Sequence, residues 1–307
     1  MTDPLTDLKT HQPAKKFLIA IDSDGCAFDT MEIKHKECFI PNIIKYWNLQ
    51  PVSKYARRAA EFVNLYSKWR GINRFPALTK VFDLLADWDD VIERGVQVPE
   101  VPNLRRWIET ESKLGNPALE KYCERNDEEN MLNALAWSRA VNAAVADIVH
   151  GVPPFPHVRE CVVEAGEYAD IMVCSATPYE ALRREWEEHD LAQYVFAIAG
   201  QEHGKKAEHI AVASEGRYEK TNMLMIGDAP GDMKAAKANG ALFYPINPGN
   251  EADSWKRFRA EALDKFFAGE YAGDYEAKLI AEFDTHLPED PPWKKSCCRG
   301  MRLCPGT

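Results

Sequence analysis

The sequence predicts an α/β protein, built on a doubly wound parallel sheet with an all-helical segment inserted after the first strand. Short apolar runs end at polar or turn residues, and they span residues 17–22, 170–175, 195–200, 223–228 and 241–246. Runs of this length without alternation are typical of parallel strands that are covered on both faces. Helical patterns separate the runs from the second onward, which predicts right-handed crossovers.

Helices between the later strands are indicated by charged faces and by residues that start or stop a helix. Residues 158–168 and 178–191 carry charged faces, with Pro178 at the expected first helical position. Residues 230–240 run from a proline start to a glycine stop. Alternating strands and helices of this kind predict a Rossmann-like core.

The segment between the first two strands has only helical patterns. One helix is predicted to continue through Trp69, because apolar side chains recur on one face at Phe62, Leu65, Tyr66 and Trp69. A second is predicted between an N-cap at Asn103 and a stop at Gly115, and a long one over residues 128–150. The sequence therefore predicts a discontinuous α/β core over 1–30 and 153–270, a helical cap over 31–152, and a C-terminal helix with a flexible tail over 271–307.

Composition narrows the possible partners and the compartment. The net charge of −10 and the pI near 5.4 argue against a nucleic-acid partner, which would require a basic surface. The first residues lack the apolar stretch of a signal peptide, and no apolar run is long enough to cross a bilayer, so a cytoplasmic protein without a membrane partner is expected. Cys297, Cys298 and Cys304 lack the spacing of a zinc site, so the C-terminal residues are interpreted as a flexible basic tail. The other cysteines are scattered along the chain, as is usual for proteins of a reducing compartment.

Polar residues follow the predicted strands at the edge where ligands bind in such sheets. They are Asp22 and Asp24, Ser175, Lys205 or Lys206, and Asp228 with Asp232. Four acids that converge in one crevice raise one another's pKa unless a cation offsets them. Oxygen ligands without histidine or thiolate favour Mg²⁺.

The same residues resemble the motifs of the haloacid dehalogenase superfamily. DSDGCAFDT resembles the first motif, VCSAT the second, Lys205 or Lys206 the third, and GDAPGD the fourth, in the family's order. The helical insertion lies where that family places one of its caps, although it is longer than usual. Ala207 stands where a proline is frequent, which leaves the choice of lysine open, and Lys206 is favoured because it adjoins the expected start of a helix.

The resemblance implies a mechanism for a Mg²⁺-dependent phosphohydrolase of a small phosphorylated metabolite. Asp22 would attack phosphorus to form an aspartyl-phosphate, and Asp24 would move protons at the leaving oxygen and at the attacking water. Ser175 and Lys206 would hold the phosphoryl oxygens. The implied metal ligands are Asp22, the backbone carbonyl of Asp24, Asp228 and, through water or by orientation, Asp232.

Two alternatives use the same fold. A phosphomutase has the same residues, and a non-catalytic binding or scaffold protein can keep the fold without turnover. In the predicted cap, the stretch KWRGINRF interrupts two helical patterns and is a candidate substrate-binding loop through Arg70, Asn73 and Arg74; the alternative is a solvated turn.

Overall fold

The computed structural model describes residues 4–294 and has one five-stranded parallel sheet. The strands are β1 Phe17–Ile21, β2 Ala169–Cys174, β3 Ala197–Ala199, β4 Met223–Gly227 and β5 Leu242–Pro245. Their order across the sheet is β3-β2-β1-β4-β5, and all neighbours are parallel. Each predicted apolar run forms a strand, so the predicted fold class is confirmed.

Helices cover both faces of this sheet. Helix α1, Pro4–Thr10, precedes the insertion. The helices that follow the insertion are α10 Val158–Ala165, α11 Tyr179–Glu188, α12 Lys206–Ser214, α13 Pro230–Asn239, α14 Glu251–Arg257, α15 Leu263–Ala268 and α16 Asp274–His286. A π-helical turn, Phe258–Ala262, joins α14 to α15. Pro178 is the residue before α11 rather than its first residue. Helix α13 begins at Pro230 and is closed by Gly240, as predicted.

Alternate side chains of each strand enter two separate hydrophobic clusters. Ile19 and Ile171 pack against aromatic residues from α11, α14 and α15, including Trp186, Trp255 and Phe266. On the opposite face, the strands pack against small and apolar residues of α1, α12, α13 and α16; this cluster contains Leu18, Met172, Met225, Ile210, Ala236 and Phe283. Burial of both faces explains why the strand sequences are continuously apolar.

The inserted segment consists of helices that share a third hydrophobic cluster. The helices are α2 Thr30–Ile33, a π-helical turn Lys34–Phe39, α3 Ile40–Tyr46, α4 Ser53–Leu65, α5 Arg74–Ala86, α6 Asp89–Ile92, α7 Pro102–Thr110, α8 Asn116–Cys123 and α9 Glu129–Ile148. Its aromatic contacts include Trp47 with Phe82, and Phe75 with both Trp107 and Trp137. The division of the chain into core and cap stays a prediction, although the insertion has apolar contacts of its own.

Two helix boundaries predicted in the insertion were wrong. Helix α4 ends at Leu65, because residues 66–71 form a turn in which Ser67 O accepts from the backbone N–H of Arg70 at 2.9 Å. Trp69 still packs on Phe62, so its apolar side chain is partly buried although the helix does not continue.

The second wrong boundary concerns Asn103 and Gly115. Helix α7 begins at Pro102, which suits the first helical turn because it needs no N–H donor there, and ends at Thr110. Gly115 is the residue that precedes α8 instead of the stop of α7.

The chain after α16 returns to the insertion. The ring of Trp293 stacks on Trp88, with centroids 4.2 Å apart and planes 7° apart, and meets Phe62 edge-on. The guanidinium of Arg58 lies over the Trp293 ring, and Pro288 O accepts from the N–H of Lys68. Residues 287–294 therefore connect the sheet region to the insertion, at α4 and at Trp88 before α6. This contact is separate from the two points at which the chain enters and leaves the insertion.

Some predictions concern residues outside 4–294. The C-terminal helix is present as α16, but the predicted flexible tail with Cys297, Cys298 and Cys304 lies outside the described residues. The five cysteines within residues 4–294 are all free thiols. In the same range no helix combines the length and the apolar character that a membrane span requires.

We expect Trp293→Ala to lower the free energy of unfolding by about 1–3 kcal/mol, less than a fully buried tryptophan, because the ring is partly exposed. Trp293→Phe is the matched control, since it keeps an aromatic ring against Trp88 and loses less. Urea unfolding followed by circular dichroism measures both. Equal midpoints for Trp293→Ala and the wild type would show that this contact does not hold the segment.

Candidate active site

Three buried carboxylates meet at the carboxyl edge of the sheet. Asp22 follows β1, Asp228 follows β4, and Asp232 lies in the first turn of α13. A ligand oxygen from each lies within 4.8 Å of the others, and these residues are at most 5% exposed. This acidic cluster forms because β1 and β4 are adjacent parallel strands that end at the same edge.

Lys206 supplies a cation to the acidic cluster. Its Nζ donates to Asp22 Oδ2 at 2.6 Å and to Asp232 Oδ1 at 2.5 Å. Burial lowers the pKa of Lys206, but the two carboxylates outweigh it and hold this pKa well above its usual range, so the amine is charged. Lys205 is exposed, and its N–H caps α12 through Glu208. The structure thus brings Lys206, and not Lys205, to the acids.

Asp232 also holds the backbone that carries Asp228. Its Oδ2 accepts from the N–H groups of Asp228 at 3.1 Å and Ala229 at 3.0 Å, as a carboxylate at the third position of a helix can. A Cβ on Gly227 would lie 2.4 Å from the Cβ of Asp232. Only glycine allows this approach, which accounts for the glycine directly before Asp228.

Asp228 is held by an arginine from the insertion. Arg70, 3% exposed, donates from Nε to Asp228 Oδ2 at 2.6 Å and from Nη1 to Leu65 O at 2.8 Å. Burial raises the pKa of Asp228 to about 6, although Arg70 lowers it. The other oxygen, Oδ1, is buried and accepts no hydrogen bond from the described residues.

The acidic cluster has the composition of a divalent-metal site. Three carboxyl groups face two cations, Lys206 and Arg70, so acidic groups outnumber basic ones in the cluster. Asp228 Oδ1 is a buried acceptor without a donor, which is costly unless a cation or donor occupies that position. Carboxylate oxygens alone suit a hard ion. Asp22, Asp228 and Asp232 could therefore hold a metal ion.

Asp24 lies outside the acidic cluster. Its Oδ1 accepts from Thr30 Oγ1 and Lys34 Nζ, both at 2.5 Å, and its Oδ2 accepts from Thr177 Oγ1 at 2.5 Å and again from Lys34 at 2.6 Å. Burial raises the pKa of Asp24, but Lys34 and the hydroxyls outweigh it and bring the pKa to about 2. Gly25 follows with φ of +73°, and a Cβ there would meet Arg70 Nη2 at 2.4 Å, so the loop has room only for glycine.

Ser175 and the three residues of the predicted substrate loop differ in their positions. Ser175 is buried directly after β2, and its N–H donates to Ala199 O. Arg70 reaches the acidic cluster. Asn73 caps α5 by accepting from the N–H of Phe75, and Arg74 Nη1 donates to Ser138 and Asn142. Among the loop residues, only Arg70 contacts an acid of the cluster.

Several neighbours of the site were missed by the sequence analysis. Lys34 lies outside the sequence motifs, and Thr30 and Thr177 are the last residues of DSDGCAFDT and VCSAT, with no role predicted for either. Ser23 Oγ donates to Glu185 Oε2 at 2.8 Å and accepts from Trp186 Nε1 at 2.9 Å. Burial, then the charge of Asp24, raises the pKa of Glu185 to about 7. The helical pattern of the α11 sequence shows only that Glu185 lies next to an apolar position. The sequence therefore gives little indication that Glu185 contacts Ser23.

A family model matches part of the chain. The model of the haloacid dehalogenase-like hydrolases matches residues 102–244, which include Ser175, Lys206, Asp228 and Asp232 but begin after Asp22. Over these residues, somewhat less than half of the chain, the sequence is similar to that family. The comparison with curated proteins gave no match.

Solved structures resemble the chain at low identity. A haloacid dehalogenase-like family hydrolase from Streptococcus pneumoniae is 14% identical with a TM-score of 0.44, over 87% of this chain and 98% of that one. A subfamily IA hydrolase of the superfamily from Geobacter sulfurreducens is 14% identical with a TM-score of 0.39, over 76% and 88%. A superfamily hydrolase from Ehrlichia chaffeensis is 12% identical with a TM-score of 0.39, over 84% and 100%. Such identities are too low to transfer an activity.

We expect Arg70→Met to lower the free energy of unfolding by about 3–5 kcal/mol in a chelator, because it leaves the buried carboxylate of Asp228 unpaired. Added Mg²⁺ should restore part of the loss, since the acidic cluster becomes more negative. Arg70→Lys keeps the charge and should lose less. Urea unfolding compares each of the two variants with the wild type, in chelator and in Mg²⁺. An unchanged midpoint for Arg70→Met in chelator would contradict the role of the ion pair.

Glu185 should make stability depend on pH. Its pKa in the folded chain, about 7, exceeds the usual glutamate value, so the folded state binds more protons and stability falls as pH rises from about 4.5 to about 7. Glu185→Gln should flatten this fall and raise the melting temperature at pH 7.5. Melting curves for both proteins across this range provide the measurement, with the exposed Glu187→Gln as control. Parallel curves would show that Glu185 titrates normally.

Proposed function

We propose that the protein is a Mg²⁺-dependent phosphohydrolase that acts on a small phosphorylated substrate through an aspartyl-phosphate on Asp22. The observation that carries the proposal is the buried ion pair between Asp22 and Lys206, beside an Asp228 oxygen that has no donor among the described residues. A carboxylate in this position can attack an electrophile that the same lysine attracts.

Asp22 has the surroundings of a nucleophile. Its Oδ1 accepts from the N–H of Ser23 at 2.8 Å, and its Oδ2 faces Lys206. These two donors orient the carboxylate. Burial raises the pKa of Asp22 well above its usual range, and Lys206 opposes this rise. Attack of one oxygen on phosphorus forms the acyl phosphate and releases the leaving oxygen, which splits hydrolysis into two displacements.

Lys206 and Ser175 are proposed to bind the phosphoryl oxygens. Lys206 is a point charge whose partners are Asp22 and Asp232, so it lies where charge develops during transfer. Ser175 is buried at the end of β2, the strand next to β1, and offers its hydroxyl at the same edge. Ser175 is held at the end of a strand and Lys206 at the start of α12, so both groups are in place before the substrate arrives.

Mg²⁺ would be held by Asp22, the backbone carbonyl of Asp24, Asp228 and, through water or by orientation, Asp232. When bound, it supplies positive charge that polarises the phosphoryl oxygens and offsets the repulsion among the acids. Asp228 Oδ1 is the free acceptor that fits this assignment, while its Oδ2 stays with Arg70.

Asp24 is proposed as the acid and base at the leaving oxygen and at the attacking water. Its four hydrogen bonds to Thr30, Lys34 and Thr177 occupy both oxygens in this structure. To reach the leaving oxygen, Asp24 must exchange some of these partners. The proposal therefore includes a change at the junction between the core and the helical insertion.

The helical insertion is proposed to be a cap over residues 31–152 that excludes water from a core formed by residues 1–30 and 153–270. Arg70 and Lys34 reach the site from this segment, which supports the assignment. Arg74 is proposed to bind substrate, because only its Nη1 makes hydrogen bonds within the described residues. Asn73 is a candidate for the same role from the sequence, but its cap on α5 favours a structural role.

The test is phosphate release from an aryl phosphate and a panel of sugar and nucleotide phosphates, with Mg²⁺ or with chelator. We expect release by the wild type with Mg²⁺ only, and a loss of about 10⁴-fold or more for Asp22→Asn, as for other nucleophiles that act within a unit. The exposed Asp87→Asn is the control and should keep full activity.

Other outcomes would favour the alternatives. Isomerisation of a sugar phosphate without net release would assign a phosphomutase. Binding of the panel by a folded protein, with neither release nor isomerisation, would assign a non-catalytic protein on this fold. Release that persists in Asp22→Asn or in chelator would contradict the proposed mechanism.

A further inference from the structure

The partners of Asp24 occupy the position that a leaving group would take. Under the proposed function, the leaving oxygen of the substrate must approach the carboxylate of Asp24. In this structure Lys34 Nζ bonds both oxygens of that carboxylate, at 2.5 and 2.6 Å. Lys34 begins a π-helical turn, Lys34–Phe39, at the junction of the insertion, and such turns are frequent at functional sites. Lys34 is thus the cation closest to the expected leaving group.

Lys34 depends on Asp24 for its counter-charge. The side chain of Lys34 is 14% exposed, and Asp24 is its only ion-pair partner within residues 4–294. When Asp24 turns to the leaving oxygen, this ammonium loses contact with an anion in a place that water reaches poorly. An unpaired, mostly buried charge is costly. An anionic group of the substrate, next to the ester oxygen, would restore the pairing.

His35 provides an independent indication of a polar ligand. Its Nδ1 is buried and has no hydrogen-bond partner among the described residues, and its ring packs on Phe39 with centroids 4.7 Å apart. Burial, together with Arg70, Lys34 and Arg74, lowers the pKa of His35 to about 3, so the imidazole is neutral and has one N–H to donate. A buried polar atom without a partner is uncommon in folded proteins and calls for a ligand or water.

We propose that Lys34 and His35 form a subsite for an anionic group of the leaving group, and that the substrate is a phosphomonoester with a carboxylate or second phosphate close to its ester oxygen. The inference rests on the proposed function, because that function assigns the leaving-group side to Asp24. The guanidinium of Arg74 lies over the ring of Phe39, on which His35 packs, and adds positive charge near His35. Cations from the insertion therefore face the leaving group, while Lys206 faces the phosphoryl group.

The experiment compares three esters with leaving groups of similar size. Phosphoglycolate carries a carboxylate, the bisphosphate of ethane-1,2-diol carries a phosphate, and ethyl phosphate carries no second charge. The variants are Lys34→Met, Lys34→Arg and His35→Phe. The matched control is Lys36→Met, two residues along the same turn, where the lysine pairs with Glu32 and not with the site.

We expect the wild type to have a kcat/KM for one anionic ester about tenfold or more above that for ethyl phosphate, as one charge-assisted hydrogen bond can provide. The preferred anionic ester then identifies the carboxylate or the phosphate as the recognised group. Lys34→Met should remove this preference, Lys34→Arg should retain part of it, and Lys36→Met should leave it unchanged. His35→Phe should reduce it by a smaller factor, because its contact is a neutral hydrogen bond.

Equal losses by Lys34→Met for all three esters would overturn the subsite, since Lys34 would then act only by positioning Asp24. A wild type that does not distinguish the esters would overturn it as well. Calorimetric binding of the same esters to Asp22→Asn, with and without Lys34→Met, separates this inference from the proposed function. If no ester is hydrolysed, the function fails, whereas selective binding of an anionic ester that Lys34→Met abolishes would still support the subsite.

Discussion

The site depends on how the protein compensates negative charge that the sheet concentrates at one edge. Adjacent parallel strands bring Asp22 and Asp228 together, and the first turn of α13 adds Asp232, all in a place that water barely reaches. Lys206 comes from the core and Arg70 from the helical insertion, so each part of the chain provides one cation. Without them the acids would repel one another and protonate. Compensation of this charge therefore determines both the geometry of the site and the contact between the two parts.

That compensation makes several residues both structural and functional. Asp232 orients the backbone of Asp228, pairs with Lys206 and offers an oxygen to the acidic cluster. Gly227 is required because the carboxylate of Asp232 approaches its backbone so closely. A substitution at either residue would change the loop and the chemistry together. Mutations in the cluster must therefore be compared with stability measurements before a loss of activity is assigned to catalysis.

The insertion is attached to the sheet region on two sides. Arg70 and Lys34 contact Asp228 and Asp24 at the site, and residues 287–294 contact the insertion through Trp293 on Trp88. The first set of contacts is charged and lies at the site, whereas the second is a stacked aromatic contact away from it. The insertion is therefore held to the sheet region by two sets of contacts of different chemistry.

Sequence alone determined the sheet, the edge at which the acids gather, and the presence of a helical insertion. Buried parallel strands require short apolar runs, and a glycine or acid at a strand end is visible in the chain itself, as at Gly227 and Asp228. The acids themselves were found in this way, and their roles stay predictions. Tertiary structure decided which cation meets which acid. Lys34, Arg70 and Glu185 lie on helices or turns whose local pattern is that of a solvated surface, and α4 ends at Leu65 because the following turn carries Arg70 to Asp228. Long-range electrostatic pairing has no period along the chain, so only the folded arrangement reveals it.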